Sequence, residues 1–288
     1  MSWTISARPD AIPATRVEAR HLVQALQAGC DIAAARSIAL AVGRIHVPLQ
    51  ALATVEKSAG TDDCIFCVGD FSRWDGLGFG LKSGQLIVEG DTGARTAAEL
   101  VGGTVEIHGN CGAWAGAAMS GGRLIVHGET GDWLGANWPG ELRGMTGGEI
   151  FVHGRARHHV GVRMRRGTIA VAGPVGEGAG RGMIAGSILL AGFTQGIVGQ
   201  GMKRGTIVLG PYADCRTSIS ATGFPEADCF RPHTLGIQLS HAAAAGWKPA
   251  GAMLCCRSVR RYLGDRLNHG LGEILVLSDS AEGATAYT

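Results

Sequence analysis

The chain has 288 residues, enough for a sizeable core, and its 45% hydrophobic and 17% charged residues exclude a disordered chain. Glycine is the outlier at 47 residues against 9 prolines, which excludes collagen-like and Pro/Gly linker sequences and predicts many tight turns. A net charge of +2 gives no bulk attraction to nucleic acid or membrane, so any charge argument must rest on local clusters.

Taken in chain order, residues 1–15 hold no apolar run, so no secretory leader is expected. The 8 cysteines are scattered, which predicts reduced thiols and a cytoplasmic setting. No stretch approaches 18 consecutive apolar residues, so no membrane-spanning helix is predicted. Val17–Ala28 (VEARHLVQALQA) reads as an amphipathic helix ending at Gly29. Cys64-Ile-Phe-Cys-Val-Gly69 looks like an irregular opening unit of the array that follows.

That array is the main signal. Strand-like segments open at Gly84, Gly103, Gly122, Gly148, Gly167, Gly186 and Gly205, at intervals of 19, 19, 26, 19, 19 and 19. The period is therefore 19, broken once by a seven-residue insertion. Three residues before each opening glycine sits Leu81, Leu100, Met119, Met145, Met164, Met183 or Met202. The unit reads G-x-x-G-x-x-x-G-x-x-M-x-x-G-x-I-x-V-x-G. Within each segment the second and fourth residues after the glycine are apolar, as in Val105/Ile107 and Ile169/Val171, so they face a core. One unit buries about three side chains at ~1.5–3 kcal/mol each, against a backbone ordering cost of ~1–2 kcal/mol per residue. A lone unit cannot fold, whereas stacked units share a core.

Nineteen residues cannot hold a strand, a helix and two connections. The prediction is an all-β core: a parallel β-helix solenoid of about seven 19-residue coils spanning 63–210. Mixed α/β terminal segments, 1–62 and 211–288, cap it. In the last segment a helix is expected around Ser258–Asn268 and a strand at Glu273–Leu277.

The repeated unit resembles the C-terminal domain of the glutamate synthase large subunit. It also resembles the β-helical subunit shared by formylmethanofuran dehydrogenase and the bacterial formyltransferase/hydrolase complex. The resemblance is strong over about 63–210 and weak in the flanks, and it supplies the right hand of the solenoid. A chain of this length with no amidotransferase or flavin-binding regions fits that β-helical subunit. An Ala/Gly/Arg-rich composition fits the bacterial complex better than a methanogen's dehydrogenase. The resemblance implies a scaffold subunit without chemistry of its own, in one-carbon metabolism and formaldehyde oxidation. Its partners would be a formyltransferase, a metal-dependent hydrolase and a dehydrogenase-like subunit. The complex would pass a formyl group from tetrahydromethanopterin to a methanofuran-type carrier with a glutamate-rich tail and release formate.

Two surface features are candidate sites. The outward third residue of each strand is often large and apolar, as at Ile87, Ile125, Phe151, Leu189 and Val208, which predicts a subunit interface. A basic run holds Arg155, Arg157, His158, His159, Arg163, Arg165 and Arg166, and Lys203 and Arg204 recur 38 residues after Arg165 and Arg166. Stacking would place these cations on one edge, where guanidinium forks suit the carboxylates of the carrier tail.

Other patterns are read as structural. His108, His127 and His153 share a column, but it continues as Ala172 and Ala191, and the repeat is expected to set no carboxylate or thiolate beside it, so no metal site is predicted. Cys64-x-x-Cys67 has no second pair and lies in an apolar strand, which predicts buried thiols. The recurrent G-x-x-G pairs are corners rather than phosphate loops. No G-x-x-x-x-G-K-[ST], H-E-x-x-H or G-x-S-x-G occurs, and no catalytic residue is assigned. The rival readings are a β-helix enzyme acting on an acidic polysaccharide and a free glutamate-synthase-like domain. The first needs carboxylates on one face, whereas Glu89, Glu106 and Glu149 fall in different columns.

Overall fold

The structure, a computed structural model, describes residues 2–11, 15–58, 63–211, 219–220, 222–230, 235–256, 258–268 and 270–278. Most of the described chain is strand and turn. The repeat strands are β6 (Cys64–Val68), β8 (Gln85–Glu89), β9 (Thr104–Ile107), β10 (Ser120–Val126), β11 (Gly147–Val152), β12 (Thr168–Val171), β13 (Ser187–Leu190) and β14 (Arg204–Leu209). They lie in chain order within one 13-stranded sheet, and each pairs in parallel with the next. Equivalent residues meet: Val105 pairs with Leu124, Leu124 with Ile150, Ile150 with Ile169 and Ile169 with Ile188. The 19-residue period is thus the register of the sheet. The 26-residue step from Arg123 to Glu149 keeps that register.

A second point of contact recurs on the far side of every repeat. Isolated parallel bridges join Phe71, Thr92, Cys111, Thr130, Ala156, Val175 and Thr194 in succession. Between the two ladders the second and fourth strand residues and the preceding methionines are fully buried in one core with Leu77, Leu134 and Val160. Some glycines are required by the closeness of successive repeats. A Cβ on Gly102, Gly121 or Gly147 would strike the carbonyl oxygen of Lys82, Val101 or Ser120.

The flanks extend both ends of the sheet. β1 (Ser2–Ala7) adds in parallel to β6 and is closed by antiparallel β5 (Ala53–Ser58). At the other end β17 (Leu271–Ser278) adds in parallel to β14 and contains the expected Glu273–Leu277 strand. β16 (Ser258–Gly264) and β15 (Glu226–Phe230) follow it, antiparallel. A four-stranded sheet of β4 (Ile45–Pro48), β3 (Ala39–Val42), β2 (Val17–Glu18) and β7 (Trp74–Asp75) lies beside the first repeats. No described helix is long and apolar enough to cross a membrane.

Two sequence expectations need correction. Val17–Ala28 is not one helix: Val17–Glu18 pair with β7 and β3, and only α1 (Leu22–Gln27) is helical, ending before Gly29 at φ 85°. Tertiary pairing to Trp74 outweighs the local helical period. Two further short helices, α2 (Ile32–Arg36) and α3 (Leu49–Leu52), pack against β5. Ser258–Asn268 is not a helix either, because Ser258–Gly264 runs between β15 and β17 and a single 3-10 turn, Arg266–Asn268, follows. There the hydrogen-bonding needs of the sheet edge override propensity.

The outward apolar column is also corrected. Phe151, Leu189 and Val208 are fully buried by this chain itself, under α4 (Leu235–Ala244) and α5 (Pro249–Leu254), with Leu239, Trp247 and Met253. Trp247 donates its indole N–H to the Val152 carbonyl at 3.3 Å, and His241 contacts the Glu149 carboxylate. An apolar stripe this wide is costly in water, and the C-terminal segment removes it from solvent. Ile125 packs at the margin of that cover, and Ile87 remains half-exposed beside the exposed Phe66.

Candidate functional site: a cationic groove at the repeat corners

The residue that ends each turn donates its amide to the methionine carbonyl of the preceding repeat. Arg165 binds Met145, Ile184 binds Met164 and Lys203 binds Met183. Arg165, Ile184 and Lys203 therefore stack in one column, and Arg166, Ala185 and Arg204 in the next. The middle row is apolar, so the four cations flank a shallow floor. Together with Gly167, Gly186 and Leu271 they line an open groove of about 760 Å³. Among the described residues none of the four makes an ion pair, while twelve other pairs are formed elsewhere. Among the described residues, then, no acidic side chain pairs with the groove's four cations. Guanidinium forks and an ammonium in one furrow suit a chain of carboxylates, each contact being a charge-assisted hydrogen bond.

The predicted basic edge is divided by the structure. Arg155 pairs with Glu129 at 3.2 Å and Arg157 approaches Asp132 at 3.8 Å, so acidic residues of the preceding repeat balance both. Arg163, at φ 53°, lines a second cleft of about 660 Å³ with Trp133, Glu141, His159, Arg181 and Gln200. Trp133 and His159 of that cleft belong to an aromatic ladder that the repeat pattern does not single out. Trp114 stacks on Trp133 at 5.0 Å and 4°, Trp133 meets His159 at 4.2 Å, and Trp138 of the insertion stacks on Trp114 at 5.3 Å. The signal is present in the spacing, since 114, 133 and 159 follow the 19- and 26-residue steps. Burial and the neighbouring His158 and Arg181 hold the His159 imidazole below its ordinary range, favouring the neutral ring.

The histidine column forms a stack on the open face of the main sheet. His108 lies over His127 with centroids 4.8 Å apart, and His127 over His153 at 5.1 Å. The expectation that no carboxylate stands beside this column is wrong. Glu106 points to the same face two residues before His108, and its carboxylate lies 2.8 Å from His127 Nε2 and 3.6 Å from His108 Nε2. Alternation within one strand is the signal that points to it. The Cys64 and Cys67 thiols are buried outside any disulfide, as expected, and burial pushes the Cys67 thiol up to about 12.

No family model matches the chain, and no curated protein does. Among solved structures it is similar to a chain of the crystal structure of the formyltransferase/hydrolase complex (FhcABCD) from Methylorubrum extorquens in complex with methylofuran. The TM-score is 0.84 and the identity 28%, over 95% of this chain and 98% of that one.

Proposed function

We propose that this chain is the structural, non-catalytic subunit of a formyltransferase/hydrolase-type complex of one-carbon metabolism in the cytoplasm. The near full-length likeness to a chain of such a complex, over 95% of one and 98% of the other, is the observation that carries this reading. Residues 63–210 wind as a right-handed solenoid of seven repeats, and the segments 1–62 and 211–288 close its ends. Its partners are a formyltransferase, a metal-dependent hydrolase and a dehydrogenase-like subunit. The complex moves formyl from tetrahydromethanopterin to a methanofuran-type carrier and releases formate. Phe66 and Ile87, the part of the apolar column left uncovered, form the face that meets a neighbouring subunit, with the half-covered Ile125 at its margin.

The Arg165–Arg166–Lys203–Arg204 groove holds the glutamate-rich tail of the carrier. A tail fixed here leaves the formyl-bearing end free to reach two active sites in turn, and tethering raises its effective concentration at each. The lack of an acidic partner for these cations among the described residues supports this assignment. Arg155 and Arg157, already balanced, contribute little, and Arg163 serves the separate aromatic cleft.

Co-purification with native mass spectrometry tests the assembly: transferase and hydrolase subunits are expected, and synthase components or no partner would refute it. For the groove, the Arg165→Ala/Arg166→Ala/Lys203→Ala variant is expected to retain its partners and bind the carrier at least tenfold more weakly. The salt dependence of binding falls as well, since three screened contacts are gone. Unchanged affinity and an unchanged salt slope would remove the groove from carrier binding.

A further inference from the structure

The exposed face of β8, β9 and β10 collects nitrogen and oxygen donors from three adjacent strands. Val88 pairs with Ile107 and Ile107 with Val126, so Glu89, His108 and His127, each one residue further on, share a level across the strands. Glu106 joins them from two residues back on its own strand. All four side chains are partly exposed, and the stacked imidazoles at 4.8 Å both aim Nε2 toward the Glu106 carboxylate.

The spacing fits a metal ion. Donor atoms bound tetrahedrally at 2.0–2.1 Å lie roughly 3.3 Å apart along each edge of the tetrahedron. The edges here measure 2.8 Å for Glu106–His127, 3.6 Å for Glu106–His108 and 3.8 Å for Glu89–His108, on both sides of that value. The Glu106, His108 and His127 donor atoms all fall within 4.8 Å of one another. Small rotations of exposed side chains close the remaining gap between the two ring nitrogens. Two imidazoles and one carboxylate make a mixed nitrogen and oxygen donor set of the kind that holds such a dication. Imidazole donors without thiolates favour zinc, nickel or cobalt, whereas magnesium and calcium prefer oxygen-only shells.

We propose that Glu106, His108 and His127 bind one zinc-class dication on this face, with the fourth position left to water. The ion staples β9 and β10 from outside the core. The site does not depend on the carrier groove, but it lies on the face assigned above to a neighbouring subunit, because Glu106 pairs with Ile87 and Ile125, so it is tested on the isolated chain.

The test uses the full chain, stripped with a chelator and dialysed. Zn²⁺ is titrated in a calorimeter, and Co²⁺ is added separately to read coordination by visible absorption. Cys229→Ser/Cys255→Ser is the background, because exposed thiols would compete for zinc. One equivalent of Zn²⁺ and a tetrahedral cobalt spectrum are expected in that background. His108→Ala/His127→Ala should abolish both, and Glu106→Gln should weaken binding at least tenfold. Circular dichroism should show both variants folded, as fits side chains that are partly exposed. Equal stoichiometry and spectrum in the double histidine variant would overturn the proposal, as would no uptake at micromolar Zn²⁺ by the background chain.

Discussion

Phe151→Ala separates an intramolecular role of the outward apolar column from an assembly role. Phe151 is fully buried between β11 and the α4–α5 cover, alongside Leu189, Val208 and Trp247. Truncating a buried phenylalanine removes its transfer energy and leaves a cavity, at a cost of ~3–5 kcal/mol. For a chain of this size that lowers the melting temperature by about 6–20 °C. The effect should appear in the isolated chain, followed by calorimetry, because the residues that bury Phe151 belong to the chain itself. Ile87→Ala is the counterpart. Ile87 is only half-exposed on an open strand face, so the chain's melting point should move little while subunit association weakens, read by native mass spectrometry. An isolated Phe151→Ala chain as stable as wild type, with the complex broken, would refute the intramolecular role.

Three further outcomes follow from the core. Burial pushes the Cys67 and Cys111 thiols up to about 12 and about 11 from an ordinary 9.0, so the folded chain keeps them protonated. The stability linked to this is intact below pH 9.0 and is lost as pH rises toward those values, which alkaline melts would show. At about pH 8, below the ordinary thiol range, iodoacetamide should label Cys229 and Cys255, which are exposed, and spare Cys67 and Cys111; mass spectrometry of equal labelling would contradict the buried assignment. Gly121→Ala should reduce the soluble folded yield, because its Cβ would meet the Val101 carbonyl; a wild-type melting curve would show that successive repeats are less tightly apposed.

The main sheet is legible in the sequence because its register is written into the glycine spacing. Ile150, Ile169 and Ile188 each recur one unit apart and pair directly. The cover over Phe151 is not legible. It comes from α4 and α5, which carry no repeat, and their docking depends on Trp247 and His241 meeting residues more than ninety positions earlier. The groove is half legible. Equivalence places Arg165 with Lys203, but only the fold shows that Arg155 and Arg157 meet acids while Arg163 turns into another cleft. Glu106 escapes any comparison made column by column across repeats, because its tie to His108 runs along a single strand.

The seven-residue insertion has a wider meaning. It bulges from a corner, and its Trp138 folds back to stack on Trp114 and donate to Glu99 at 2.9 Å; the flanking strands shift register once between Ser120 and Arg123 and meet in step from Arg123 onward. Extra surface is thus carried at a bend at the cost of one local shift in the frame beneath. Novelty in such a chain accumulates at the corners, while the straight segments stay bound to a single tempo.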